Sequence, residues 1–160
     1  AAALEATVLL AYEKEEDLKS RFTSTYIDSA KDFIEYFSVE KAAYIGTKCG
    51  VKAMHDMSDS GVFGALWELG EAGNCGMEIN LKKINMRQET IEITNYLGIN
   101  PYIISSTGSL LMVTSDGLGL IHELEKEGIE AFVIGKIVEG NDRVIINEDE
   151  KRYLEPPRNK

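Results

Sequence analysis

The sequence has few cysteines, few prolines and no run of basic residues. Its 160 residues include 2 cysteines, 3 prolines and 14 glycines. This Gly and Pro content is far below that of low-complexity or collagen-like chains, so those classes are excluded. A domain of this length can bury a real core without disulfides. We therefore expect Cys49 and Cys75 to be free, buried thiols in a cytoplasmic protein.

Positive charge is also scarce, since 17 Lys and Arg residues face 27 Asp and Glu residues and the net charge is −10. Binding to a nucleic acid or an anionic membrane depends largely on Lys and Arg, so we expect neither partner. The longest apolar run near the start, Thr7–Tyr12, is far shorter than the roughly 20 residues that span a bilayer.

Hydrophobic periodicity predicts helices that alternate with strands. Helices are expected over residues 13–22, 28–37, 39–49, 62–73, 87–97 and 118–127, and strands over 7–12, 51–55, 77–81, 102–104, 110–114, 131–138 and 143–147. The turn composition of residues 139–142 predicts a hairpin between the last two strands. The result is one layered α+β domain over 1–147, with a mixed, partly antiparallel sheet covered by helices. Residues 148–160 are expected to form an extended charged tail.

Residues 55–61, His-Asp-Met-Ser-Asp-Ser-Gly, join a predicted strand to an amphipathic helix. The free N–H groups of a first helical turn attract anions, and Gly61 permits close approach of a ligand or of another strand. Asp56 and Asp59 would repel a bare phosphate, so they fit Mg²⁺ or substrate hydroxyl and amine groups. Alternatively, Ser60 or Asp59 caps the helix while Asp56 satisfies a turn. The residues alone leave both interpretations open.

Other sites are less consistent with the sequence. The spacing of residues 56–61 resembles an EF-hand loop, but Trp67 stands where a bidentate Glu is required. No nucleophile elbow surrounds Ser58 or Ser60. A second polar cluster, Ser105-Ser106-Thr107-Gly108-Ser109, leads into a strand, whereas a P-loop must open a helix and carry a Lys. This cluster lines a cleft or forms a plain connecting loop.

Residues 53–66 and 76–79, Ala-Met-His-Asp-Met-Ser-Asp-Ser-Gly-Val-Phe-Gly-Ala-Leu and Gly-Met-Glu-Ile, resemble the second half of the AIR synthase-related superfamily. The sequence is most similar to its hydrogenase-maturation branch, in which a strand delivers an Asp-x-Thr-x-Gly-Gly loop into a helix. The similarity continues through residues 97–101, 108–110 and 134–139. It covers nearly all of the chain from about residue 4 to residue 144.

The resemblance implies an AIR synthase C-terminal-like domain of a protein that uses ATP and Mg²⁺ to activate a carbonyl-type oxygen or to transfer a phosphoryl group. ATP, the main Mg²⁺ carboxylates and the homodimer interface would belong to an N-terminal domain that this chain lacks. This chain would close over the cleft, face a small-molecule substrate or acceptor, and be inactive alone. No residue of this chain is assigned as a metal ligand. The residues implied are Asp56 and Ser58 at the transferred group, and Asp59, Ser60, Gly61, Ser106, Thr107 and Gly108 around the phosphate or substrate.

Two departures from the family pattern leave a second hypothesis open. Ser60-Gly61 replaces the usual pair of glycines. The chain ends at residues 155–160 with Glu-Pro-Pro-Arg-Asn-Lys, without the Cys that carries the carbamoyl group in the hydrogenase-maturation branch. We therefore do not expect that role, and a non-catalytic module that binds a nucleotide or a partner is the alternative function.

Overall fold

The computed structural model describes residues 1–158, and this part of the chain forms seven α-helices and six strands. The helices are α1 (Leu4–Glu13), α2 (Glu15–Leu18), α3 (Ser24–Lys31), α4 (Glu40–Lys48), α5 (Gly61–Gly73), α6 (Gln88–Leu97) and α7 (Gly117–Lys126), with 3-10 turns at Asp32–Tyr36 and Leu81–Lys83. The strands are β1 (Ala53–Asp56), β2 (Gly76–Asn80), β3 (Leu110–Val113), β4 (Gly135–Val138), β5 (Arg143–Asn147) and β6 (Glu150–Tyr153). The predicted α+β class is confirmed.

The strands form two sheets. Strands β1 and β3 pair antiparallel, with Asp56 opposite Leu110. The second sheet has the order β4-β2-β5-β6 and is mixed, because β2 is antiparallel to β4 and parallel to β5. The predicted hairpin between β4 and β5 is therefore wrong. The turn at residues 139–142 crosses the end of β2, where the amide of Met77 donates to the carbonyl of Asp142 at 2.9 Å.

The predicted strand at residues 7–12 is also wrong, because this segment lies within helix α1. Leu4, Thr7, Val8 and Ala11 are buried on one face of the helix, and Ala6 is buried on the opposite side. The exposed positions Leu9 and Tyr12 are also apolar, so the segment reads as a continuous apolar run without the polar face that reveals an amphipathic helix. The hydroxyl of Thr7 donates to the carbonyl of Ala3 at 2.7 Å and lies 2.8 Å from the Thr90 hydroxyl, which joins α1 to α6.

Other boundaries differ from the prediction in informative ways. The helix expected over 13–22 is limited to α2, and the helix expected over 28–37 is α3 followed by a 3-10 turn. Residues 102–104 form a turn and bends instead of a strand, and the carbonyls of Tyr102 and Ile104 pack against the start of α5. Both cysteines are free, but Cys49 is exposed and Cys75 is only partly buried, so the expectation of buried thiols is wrong.

No helix within residues 1–158 is long and apolar enough to cross a membrane.

The main core lies between α5 and the two sheets. Its buried side chains are Ala2, Met57, Val62, Ala65, Leu66, Met77, Ile79, Ile84, Leu111, Ile145 and Leu154. A second cluster joins the N-terminal helices to α6 through Ala11, Leu18, Ile27, Ala30 and Ile93. The segment predicted as a charged tail begins with the edge strand β6 and the buried Leu154. Its last two residues, Asn159 and Lys160, lie outside the described residues.

Arg143 joins the C-terminal half of α5 to strand β5. Its side chain is buried, its Nε donates to the carbonyl of Cys75 at 3.2 Å, and its guanidinium hydrogen-bonds the Glu71 carboxylate. The guanidinium carbon also lies 4.8 Å from the centroid of the Trp67 ring. Burial, the hydrogen bonds and the aromatic contact together make this side chain part of the core.

Replacing Arg143 with Ala should therefore destabilise the fold by about 2 kcal/mol, because the Cys75 carbonyl loses its donor and Trp67 loses its packing partner. Chemical denaturation followed by circular dichroism would measure this change. Arg152, exposed on β6, is the matched control, and Arg152→Ala should change stability by less than about 0.5 kcal/mol. Equal effects of the two substitutions would contradict the structural role of Arg143.

Candidate functional site

The predicted site loop lies at the end of β1 and the beginning of α5. A cavity of about 190 Å³ opens there, lined by residues 55–61 together with Ala65 and Glu68. The structure therefore brings Asp56, Ser58, Asp59 and Ser60 around one small cavity. The antiparallel pairing of β1 with β3 fixes the direction in which the chain enters the loop, and the buried face of α5 fixes the direction in which it leaves.

Asp56 is exposed and accepts two local hydrogen bonds. Its Oδ1 accepts from the Ser58 hydroxyl at 2.8 Å and from the Ser58 amide at 3.2 Å. The hydroxyl bond chiefly, then the amide bond and the nearby His55, hold the pKa of Asp56 below its usual value. Asp56 is therefore a carboxylate at neutral pH. It satisfies a turn and lines the cavity at the same time, so the two interpretations of this residue are compatible.

Ser60 occupies the N-cap position of α5, but its side chain makes no capping hydrogen bond. Asp59 beside it is exposed. The amide of Phe63, in the first turn, is taken by the carbonyl of Tyr102 at 3.0 Å. This end of the helix therefore has one fewer donor for an anion than an open helix N-terminus.

Gly61 has a positive φ of +66°, and the space beside it belongs to the protein itself. A Cβ atom at this position would lie 2.5 Å from the carbonyl oxygen of Ile104 and 2.8 Å from that of Tyr102. The sequence left open whether a ligand or another segment approaches Gly61. In the structure the neighbour is the 102–104 segment. Glycine at position 61 therefore allows this segment to pass close to the start of α5.

The second polar cluster lies behind the site loop. The Ser105 hydroxyl lies within hydrogen-bond distance of the carbonyl of Ser58, at 2.5 Å, and of the Glu5 carboxylate, and these two acceptors share its one proton. Ser106 is buried; its amide donates to the carbonyl of Met57 at 2.9 Å, and its hydroxyl accepts from the amide of Ala3 at 2.6 Å. These bonds connect the site loop to the start of α1.

Thr107 and Gly108 continue this connection. Hydrogen bonds from Ser105 and then from Thr107 hold the pKa of Glu5 below its usual value. Gly108 has a φ of +95°, and a Cβ there would lie 2.6 Å from the carbonyl oxygen of Tyr36. Within the described part of the chain, the residues that line the cavity include none from 105–109. A ligand-binding role for Ser106, Thr107 and Gly108 thus stays a prediction, and their observed contacts are structural.

Sequence reasoning did not single out the partnership between His55 and Glu68. The Nε2 atom of His55 lies 2.7 Å from Oε2 of Glu68, and its Nδ1 hydrogen-bonds the carbonyl oxygen of Asp56. Glu68 could have been found from helical spacing, because residues 61, 65 and 68 lie on one face of a helix. That face of α5 lines the cavity.

The charged groups around the cavity decide which ligands suit it. Three carboxylates, from Asp56, Asp59 and Glu68, line it together with the His55 imidazole. Carboxylate and hydroxyl oxygens suit Mg²⁺ and its water ligands, and they accept hydrogen bonds from substrate hydroxyl or amine groups. They repel a bare phosphate. Within the described residues no group of three His, Cys, Asp or Glu side chains is placed to hold a metal ion directly, so the cavity fits a water ligand of Mg²⁺ or a hydrogen-bond donor of the acceptor substrate.

Residues 28–147 match the family described as AIR synthase related protein, C-terminal domain. The match covers most of the chain, which therefore belongs to this family.

The chain is similar to the hydrogenase-maturation protein HypE, in agreement with the predicted resemblance. It is 25% identical to carbamoyl dehydratase HypE of Rhodobacter capsulatus over 101 residues, which is 61% of this chain and 30% of that protein. The crystal structure of E. coli HypE matches with a TM-score of 0.68 and 21% identity, over 76% of this chain and 41% of that one. HypE solved in complex with ATP matches with a TM-score of 0.60 and 15% identity, over 68% and 36% of the two chains. The chain thus spans less than half the length of these proteins.

The close approach of the 102–104 segment to Gly61 predicts that alanine destabilises the fold more at position 61 than at position 98. Gly61→Ala should lower the free energy of unfolding by about 3 kcal/mol, since it adds a clash with backbone to the strain of a positive φ. Gly98 is the matched control, because its φ is +68° but a Cβ there meets nothing within 4 Å. Gly98→Ala should lower it by only about 1 kcal/mol. Denaturant unfolding measures both, and a larger loss at Gly98 would contradict the tight crossing.

The hydrogen bonds from Ser58 to Asp56 predict how substitution of Ser58 changes the titration of the Asp56 carboxyl group. Ser58→Ala should raise the pKa of Asp56 toward its ordinary value, whereas Ser58→Thr keeps the hydroxyl and the low pKa. Because the folded pKa is lowered, this interaction stabilises the fold above the ordinary Asp pKa and is lost as the pH falls through the lowered value. Carboxyl ¹³C NMR measures the titration. Ser60→Ala is the control, and an unchanged Asp56 titration in Ser58→Ala would contradict the assigned bond.

Proposed function

We propose that this chain is the C-terminal domain of an ATP- and Mg²⁺-dependent enzyme, in which it forms one wall of the active-site cleft. The reaction is the ATP-driven activation of a carbonyl-type oxygen or the transfer of a phosphoryl group. The observation that carries the proposal is the cavity of about 190 Å³ at the junction of β1 and α5. Membership of the AIR synthase-related family and the similarity to HypE, which has been solved with ATP, support it.

In this proposal Asp56 acts as an ionised hydrogen-bond acceptor. Its Oδ1 is oriented by Ser58, so its carboxylate is preset to receive an N–H or O–H of the substrate or a water molecule of Mg²⁺. Ser58 presents its hydroxyl oxygen to the transferred group, and the backbone of Ser60 and Gly61 borders the same cavity. Asp59 adds a second negative charge at the rim. Placing such groups before the reaction begins is the main way that protein residues accelerate phosphoryl transfer.

ATP itself is held, in this proposal, mainly by an N-terminal domain of the full-length protein, which also forms a homodimer. The cavity described here supports that division, because its charged lining is acidic apart from His55. A bound Mg²⁺ neutralises phosphate charge, and Asp56 and Asp59 would hold it through its water ligands. One wall of a cleft cannot position both reactants, so the isolated chain is expected to be inactive.

Asp56→Asn in the full-length protein should lower the rate of ATP turnover by about a hundredfold, because the amide keeps the shape but removes the charge and one acceptor. Phosphate release measures the rate, and the unfolding midpoint verifies that the variant folds. Asp149→Asn, at an exposed position in the β5–β6 turn, is the matched control and should leave the rate unchanged. Normal turnover by Asp56→Asn would overturn the assignment of Asp56.

A second function is a non-catalytic module of the same fold that binds a nucleotide or a partner. The filled space beside Gly61 favours it, since a phosphate cannot approach the backbone there as it would at an open glycine pair. Calorimetry of ATP against the full-length protein, followed by phosphate release, separates the two functions. Binding with turnover supports the enzyme, and binding without turnover supports the module.

A further inference from the structure

His55 is held between two hydrogen-bond acceptors on different elements. Its Nδ1 contacts the main-chain carbonyl oxygen of Asp56 at the end of β1, and its Nε2 lies 2.7 Å from the Glu68 carboxylate on α5. A neutral imidazole has only one N–H and can satisfy only one acceptor. The form with both nitrogens protonated satisfies both, and it turns the contact with Glu68 into a charge-assisted bond.

This contact spans the cavity from its strand side to its helix side. Strand β1 and helix α5 also meet through the loop 57–60, but that loop is short and partly exposed. The side chains of His55 and Glu68 are 29% and 51% exposed, so the pair lies at the mouth of the cavity and not in the core. An ion pair at such a position adds little to overall stability. The contact instead affects the orientation of Asp56, because His55 also contacts the Asp56 carbonyl oxygen.

We propose that His55 and Glu68 are positioning residues that together fix the orientation of Asp56 in the cavity. This role rests on the proposed function, because it matters for turnover only if Asp56 receives a group of the substrate or its metal. Within the cavity lining, His55 is also the one basic side chain among three carboxylates.

The His55–Glu68 pair has an effect that the turn formed by Asp56 and Ser58 does not have. Ser58 orients the Asp56 side chain through Oδ1, but nothing in that turn fixes the strand relative to α5. The His55–Glu68 contact does so on the cavity side, opposite the bonds from Ser105 and Ser106 behind the loop. The site loop is thereby held from two directions.

The test is a double-mutant cycle with His55→Gln, Glu68→Gln and the double variant, together with His55→Arg. In the full-length protein each single substitution should lower kcat for ATP turnover by about tenfold, with a smaller change in KM, since the loss is one of positioning. The double variant should be no slower than the slower single variant, because the residues act as a unit. His55→Arg keeps a cation that can reach Glu68, and should recover most of the rate.

His122→Gln and Glu125→Gln on the exposed face of α7 are matched controls and should leave turnover unchanged. Multiplicative effects of the two site substitutions, or no recovery in His55→Arg, would overturn the positioning role. Unfolding midpoints separate loss of turnover from loss of fold.

A second measurement requires no ATP. In NMR spectra of this chain, His55→Gln and Glu68→Gln should shift the same backbone amides in residues 56–61, and His55→Arg should shift them less. Changes confined to the neighbours of each substituted residue would overturn the pair. If these spectra agree with the proposal but the full-length protein neither binds nor turns over ATP, the proposed function fails while the link between β1 and α5 stands.

Discussion

The approach of the 102–104 backbone to Gly61 is the constraint on which the site depends. Two carbonyls lie so close to this residue that no side chain fits between them, and the amide of Phe63 is bonded to one of them. The first turn of α5 is therefore fixed against another segment before any ligand is considered. The direction of α5 then determines where Ala65 and Glu68 stand along the cavity.

The hydroxyl-rich segment 105–109 extends the same constraint to the N-terminal helices. Ser105 and Ser106 bond the carbonyls of the site loop on one side and the start of α1 on the other. A buried serine that satisfies main-chain groups in this way is costly to replace, because its partners would be left without hydrogen bonds. The loop that carries the carboxylates thus rests on a rigid support, which suits a site that must hold its groups in place.

The cavity has an acidic lining, and hydrogen bonds hold the loop that forms it from behind. The residue types are therefore compatible with a structural interpretation and with a ligand-binding interpretation. Asp56 satisfies a turn through Ser58, as a purely structural residue would, yet its carboxylate is exposed and ionised beside a cavity. Gly61 has the conformation expected of a phosphate-binding glycine, yet the protein fills the space beside it. A structural role and the predicted binding role are therefore compatible for Asp56, and for Gly61 the structure shows the structural role while the binding role stays a prediction.

The sequence by itself determined the local features: the amphipathic helix after the site loop, the alternation in β2, the acidic charge of the loop and the family pattern from residue 53 onward. These follow from the period of the apolar residues and from residue chemistry, which act over a few positions. The tertiary structure decided that residues 7–12 are helical, that β2 lies between β4 and β5, and that His55 meets Glu68. Each of these depends on how separate segments pack. Burial and strand pairing override local preference, and helical spacing groups Glu68 with residues 61 and 65 without showing that His55 lies opposite.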